Sequence, residues 1–210
     1  MKNHSYERVF IIGPSHQGGT KDVYLSSFDK YKTPLGNIDV DKQITEELSK
    51  NLLFGKNEQI EFDEHSIEVQ LPFLQKTLNT FKIIPILFAN QTLENAKKLF
   101  KSIYKYIDKK TLVVISTDLS HYYSSNIAKE KDKLLIDKLI CSDSIGLQKL
   151  IADGTSEACG IGGLYFAIEF AKKLDLPITP LKYSHSGFIN KDFSQVVGYF
   201  AGIMGKRYAE

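Results

Sequence analysis

The stretch "RVFIIGPSHQGG" (residues 8–19) sets four apolar side chains in a row, Val9 to Ile12, and then runs into Gly-Pro-Ser-His and two further glycines. A continuous apolar run, rather than an alternating one, reads as a strand covered on both faces, the pattern of a parallel sheet. The loop after that strand has little side chain of its own. Gly13, Pro14, Gly18 and Gly19 allow a tight turn and a close approach of backbone to a ligand. His16 would then be held by a loop at a strand's carboxyl end and face a cleft. The loop is neither a GxGxxG nor a Walker sequence, so phosphate cradling has no support. The plainer alternative is a loop histidine bonded to a backbone carbonyl.

Working outward, four more runs read as strands: "KIIPILFA" (82–89), "TLVVIST" (111–117), "ITPLKYS" (178–184) and "VVGYFAGIM" (196–204). Helical periodicity lies between them, at 41–53, 93–107, 129–140, 143–154 and 162–174. In the first of these, Asp41 is a plausible N-cap, with Ile44, Leu48 and Leu52 on one stripe. The order predicts an α/β fold, a three-layer α/β/α sandwich with a mostly parallel central sheet whose last two strands pair antiparallel. At 210 residues, without repeats or a Pro/Gly/Ser linker, the chain is expected to form one domain over 1–210.

The composition narrows the function. The net charge is +2, with Lys and Glu scattered, so no basic nucleic-acid face is expected. No apolar run approaches the ~20 residues that span a bilayer, and "MKNHSYERVF" lacks the apolar core of a secretory signal. Two cysteines, Cys141 and Cys159, make no disulfide framework. A reduced, cytoplasmic chain is the expectation.

In open α/β sheets, sites form outside the carboxyl ends of the strands. There the sequence places His16, the pair Asp118 and His121 in "TDLSHYY", His185 in "YSHSG", and Cys159 in "SEACGIGG" before an apolar helix. A carboxylate three residues from an imidazole predicts Asp118 orienting His121 as a general base. The alternative is Asp118 as a turn residue and His121 in solvent. A thiol at a helix start is expected to have its pKa lowered by the helix dipole, easing thiolate chemistry or metal ligation. The alternative for Cys159, and the stronger reading for Cys141, is a small buried hydrophobe. "EFDEHSIEVQLPFL" (61–74) predicts a helix capped by Asp63. His65 would share a face with Glu68, Ile67, Leu71 and Leu74 would face the core, and Pro72 would kink the helix. Glu64, His65 and, more weakly, His185 are candidate substrate-binding residues. His4 is expected to be exposed or disordered.

Taken in order, "FIIGPSH", "DEHSIEVQLPFL", "STDLSHY" and "ACGIGG" resemble the Memo family, the B component of the AmmeMemoRadiSam group, over nearly the whole chain. The resemblance implies a fold shared with the class III extradiol dioxygenases, in which strand-end histidines and one further ligand hold non-haem iron. It makes His16 and Cys159 metal ligands, puts Asp118, His121 and His65 around them, and gives His121 the acid/base position. Imidazole plus thiolate suits iron, copper or zinc better than magnesium or calcium, and the resemblance puts iron first. Family members carry an earlier "PHAGY"-like segment that supplies another ligand. It is absent here, so the ligand set is expected to be incomplete. If the missing strand belongs in the sheet, an open edge beside "RVFIIG" predicts self-association or a partner chain. The leading reading is metal-dependent redox on a small organic substrate. The rivals are a thiol hydrolase built on Cys159, His121 and Asp118, and a non-enzymatic peptide- or ligand-binding adaptor, as the family's animal members are described.

Overall fold

A computed structural model describes residues 6–205, so the expectation for His4 falls outside the described residues. The elements run β1 (Arg8–Pro14), β2 (Val23–Leu25), β3 (Lys30–Thr33), β4 (Gly36–Asp39), α1 (Lys42–Ser49), β5 (Phe54–Gly55), α2 (Glu58–Phe62), α3 (Leu71–Thr77), β6 (Lys82–Phe88), α4 (Leu93–Ile103), β7 (Thr111–Ile115), β8 (His121–Tyr123), α5 (Ser125–Ile140), α6 (Ser144–Ala152), α7 (Ile161–Leu174), β9 (Ile178–His185), α8 (Gly187–Asn190) and β10 (Val196–Met204). The fold is mixed α/β of the sandwich kind, with a mostly parallel central sheet. The chain divides into two compact units, Met1–Ser116 and Thr117–Glu210.

The first unit holds the central sheet, in the order β5-β2-β6-β1-β7. β1 runs parallel to both β6 and β7, and β2 runs parallel to β5 but antiparallel to β6. Val9, Phe10, Ile11 and Ile12 are wholly buried, as the unbroken apolar run predicts for a strand covered on both faces. Because β1 is flanked on both sides, "RVFIIG" carries no open edge. The sheet's outer strands are β5 and β7. Beneath β1, a core cluster gathers Val9, Ile11, Tyr24, Ile67, Leu71, Leu74, Ile83 and Leu87.

The first helix starts as predicted, with Asp41 Oδ1 accepting the Ile44 N–H at 3.3 Å. It ends at Ser49, so Leu52 falls off the buried stripe and lies exposed. The segment 63–72 differs more. Asp63 closes α2 instead of opening a helix, its N–H donating to the Gln59 carbonyl. Residues 64–67 form a turn, a short 3-10 stretch comes next at Glu68–Gln70, and Pro72 stands in the first turn of α3, where it costs no hydrogen bond and makes no kink. Ile67, Leu71 and Leu74 are nonetheless buried.

The second unit holds an antiparallel sheet of its own, ordered β8-β10-β9. α5 packs on β9 and β10 and carries Asp132, which is wholly buried. Its Oδ1 accepts the Ser120 N–H at 2.9 Å and its Oδ2 the Tyr183 hydroxyl at 2.8 Å. Burial and that carboxylate push the Tyr183 hydroxyl's pKa up. Cys141, expected inside, caps the C-terminus of α5 and is exposed.

Candidate functional site

β1 ends at Pro14 and delivers His16 two residues later. The loop beyond can fold back because Gly19, at φ 145°, leaves the space taken by the Tyr24 hydroxyl, with which a Cβ would collide. That hydroxyl accepts the Lys21 N–H at 3.0 Å. The opposite wall is the 64–66 turn. Ser66 Oγ donates to the Pro14 carbonyl at 2.9 Å, and the approach works because residue 13 is glycine. A Cβ there would stand 2.5 Å from Ser66 Oγ. Behind the turn, Glu61 of α2 accepts hydrogen bonds from the Ser26 hydroxyl, the Ser27 N–H and the Tyr31 hydroxyl. That anchor fixes where α2 ends and where Glu64 begins.

The result is a compact group. Glu64 is buried, with 1% of its side chain exposed, while His16 and His65 expose 43% and 69% of theirs. The Glu64 carboxylate accepts the His16 N–H at 2.7 Å, the His65 N–H at 2.9 Å and the Ser66 N–H at 3.0 Å. His16 Nδ1 lies 3.0 Å from both carboxylate oxygens. The rings of His16 and His65 stack, 5.5 Å between centroids and 7° from parallel. Burial alone would raise the Glu64 carboxyl, but the backbone N–H groups of His16 and Ser66, with the His16 ring, hold it below its ordinary value. His16, Glu64 and His65 each bring a donor atom within 4.8 Å of the others, the one such group of three among the described residues. The two imidazoles suit a transition metal, and the carboxylate between them can hold or orient them, so the group fits the class of ion that the resemblance implies.

The second unit places the other candidates. Cys159 precedes α7, whose N-cap is Gly160. Its Sγ accepts the Asp118 N–H at 3.1 Å and lies 3.8 Å from Thr117 Oγ1, and its own N–H donates to the Asp118 carbonyl. The expected lowering of this thiol's pKa is reversed. Burial raises it, and the hydrogen bonds from Asp118 and Thr117 only partly offset that. Asp118 and Cys159 are therefore brought together, but through the Asp118 backbone. The carboxylate that meets His121 is Glu157, not Asp118. Glu157 Oε1 accepts the His121 N–H at 2.7 Å and lies 3.9 Å from its Nδ1, and Oε2 accepts the Tyr123 hydroxyl at 3.3 Å. Glu157 stands in the quoted "SEACGIGG", two residues before the cysteine, and no spacing rule ties it to His121. His185 is 6% exposed. Its ring stacks on Phe188 at 4.2 Å with Phe193 edge-on at 5.8 Å, and its buried Nδ1 has no hydrogen-bond partner. Cys141 and Cys159 form no disulfide.

An α/β protein whose central strand ends in a histidine–carboxylate–histidine group belongs among candidate metalloproteins. Comparison with known proteins makes the assignment finer. The family model described as Memo-like protein matches residues 1–203. A MEMO1 family protein of Sulfolobus acidocaldarius is 39% identical over 202 residues, covering 94% of this chain and 71% of the relative. Another from Sulfurisphaera tokodaii is 37% identical, covering 93% and 71%, and one from Thermoplasma volcanium 33% identical, covering 95% and 74%. The chain belongs to the Memo-like family.

Proposed function

We propose that the chain binds a transition metal ion at the His16–Glu64–His65 group, iron first and copper or zinc next, and serves redox chemistry on a small organic substrate. The observation that carries this reading is the pair of exposed, stacked imidazoles backed by a buried carboxylate at the end of the central strand. Such an ion, when bound, would supply Lewis acidity and, in the case of iron or copper, a redox couple. The chain's own residues do the rest. Glu64 holds His16 in place, and the exposed His65 ring is positioned to meet a polar ligand. The family resemblance gives the proton-carrier role to His121 of the second unit, whose backbone N–H donates to Glu157. The family resemblance also gives Cys159 a ligand role and places Asp118 in its surroundings. The raised thiol argues against the rival in which Cys159 acts as a nucleophile.

Metal analysis of untagged protein tests the reading. Near-stoichiometric metal in wild type, at least tenfold less in His16→Ala and a clear loss in His65→Ala are expected. The Cys159→Ala arm decides that residue's role. Substoichiometric metal unchanged by His16→Ala overturns the proposal. A pull-down of a peptide ligand indifferent to His16→Ala would favour the adaptor reading instead.

We also propose self-association or a partner chain. The outer strand β7, "TLVVI", has neither the charge nor the proline that usually guards an edge. A monomer by light scattering contradicts this. No helix among the described residues is long and apolar enough to cross a membrane.

A further inference from the structure

We infer that Glu64 is a positioning residue and not a metal ligand: it fixes the proton of His16 on Nδ1 and so leaves Nε2 as the atom that meets the ion. The inference rests on the metal reading above for its purpose, but on hydrogen-bond counting for its content.

An ionised carboxylate accepts only, and it offers about four lone-pair sites. Three are filled by backbone N–H groups, those of His16 at 2.7 Å, His65 at 2.9 Å and Ser66 at 3.0 Å. The fourth faces His16 Nδ1, 3.0 Å from both oxygens. Backbone donors cannot turn away, and with 1% of its side chain exposed the Glu64 carboxylate has no water to take their place. The carboxylate is therefore saturated. An ion ligated by Glu64 would have to strip buried N–H groups of their acceptor, at about 1–3 kcal/mol for each one left unsatisfied. The same saturation settles the imidazole. Facing an acceptor, Nδ1 must carry the hydrogen, and the lone pair is left on Nε2. A ligating histidine whose other nitrogen donates to a carboxylate is the arrangement that holds ring and tautomer for a metal. His65 has no such partner, its Nδ1 lying 3.7 Å from Glu64 Oε1, so of the two stacked rings only His16 is fixed in this way.

The first test needs neither metal nor variant. Long-range proton–nitrogen spectra of ¹⁵N-labelled wild-type protein at neutral pH, freed of metal, report the tautomer of each ring. His16 is expected wholly as the Nδ1–H form and His65 as a mixture. An Nε2–H form or a mixture at His16 overturns the inference. The second test titrates Co(II) into wild type and Glu64→Gln and reads the visible absorption. A positioning role predicts the same band shape with affinity 10- to 100-fold weaker. A changed band shape in a variant whose amide spectrum is otherwise intact shows a lost ligand and overturns the inference. If wild type takes up no Co(II), the metal reading fails by itself and the tautomer measurement still decides the role of Glu64.

Discussion

At residue 13 the chain forgoes a side chain because the 64–66 turn occupies the space one would need. A methyl group there would stand 2.5 Å from Ser66 Oγ and 3.0 Å from Ser66 Cβ, so rotating the hydroxyl away does not relieve the clash. Gly13→Ala should push the turn that carries Glu64 off the end of β1 and cost about 1–3 kcal/mol, as overpacking does. It should also weaken metal uptake. Adding Ser66→Gly, which removes the two nearest opposing atoms but leaves Ile67 Cδ1 at 3.2 Å and gives up the hydrogen bond to the Pro14 carbonyl, should restore part of both, and the double-mutant cycle in urea unfolding measures that coupling. Glu64 gives a pH-dependent prediction. Its carboxyl is held below its ordinary value, so its stabilising contribution is complete above the unfolded-state pKa, about 4.3, and is lost as pH falls through the lower folded value. The amide protons of His16 and Ser66 should titrate together with a midpoint below about 4.3. A midpoint above it would mean that burial, not hydrogen bonding, governs this group. Much of this group is legible in the sequence. His16 stands out as a strand-end histidine in a glycine loop, and Glu64 and His65 as an excess of chemistry in a short motif. The pairing of His121 with Glu157 is not legible, because the acid lies 36 residues from its partner and only folding brings them together.

β1 and β6 are readable because burial imposes an unbroken apolar run on them. β7, β9 and β10 are largely half-buried or exposed and show themselves instead by their β-branched and aromatic residues. The hairpin of β3 and β4 is not visible in this way. "KYKT" and "GNID" turn only Tyr31 and Ile38 toward the core, and four residues each are too short an alternation to read. β2 and β5, at three and two residues, are too short to hold one. The continuous helix expected in 61–74 from an Asp63 cap is broken for a physical reason. Glu64 turns its acceptors onto the N–H groups of residues 65 and 66, a local bond that competes with helix continuation. α5 shows the opposite case, a polar residue invisible to patterning that organises its surroundings. Asp132 ties α5 to the turn before β8 through Ser120 and to β9 through Tyr183, and a Cβ on Gly198 of β10 would collide with its carboxylate. Asp132→Ala strands a buried N–H and leaves a half-buried hydroxyl without its acceptor, and should cost about 2 kcal/mol. Asp132→Asn keeps an acceptor for Ser120 and a partner for Tyr183 and should cost less than half as much. Equal losses in urea denaturation would show that the hydrogen bonds do not set the stability of this corner.

For the whole molecule, the division into two compact units decides how metal binding should be read. An ion bound only by the folded state stabilises by about 2.7 kcal/mol at a free concentration 100 times its Kd. For a chain of this length that is a rise of roughly 5–10 °C in Tm if the whole chain unfolds in one transition. Two units, Met1–Ser116 and Thr117–Glu210, need not unfold in one transition, and a single Tm is then not a property of the site. Hydrogen exchange places the effect instead. With Zn(II) added, amides at the end of β1 and in the 64–66 turn should slow by up to two orders of magnitude, the protection that 2.7 kcal/mol confers. His16→Ala should abolish the slowing there while leaving the unliganded exchange of β6 unchanged. Protection that rises equally over β9 and β10 would show that the ion's ligands or its stabilising reach extend into the second unit. Slowing confined to the second unit would place the metal away from the His16–Glu64–His65 group altogether.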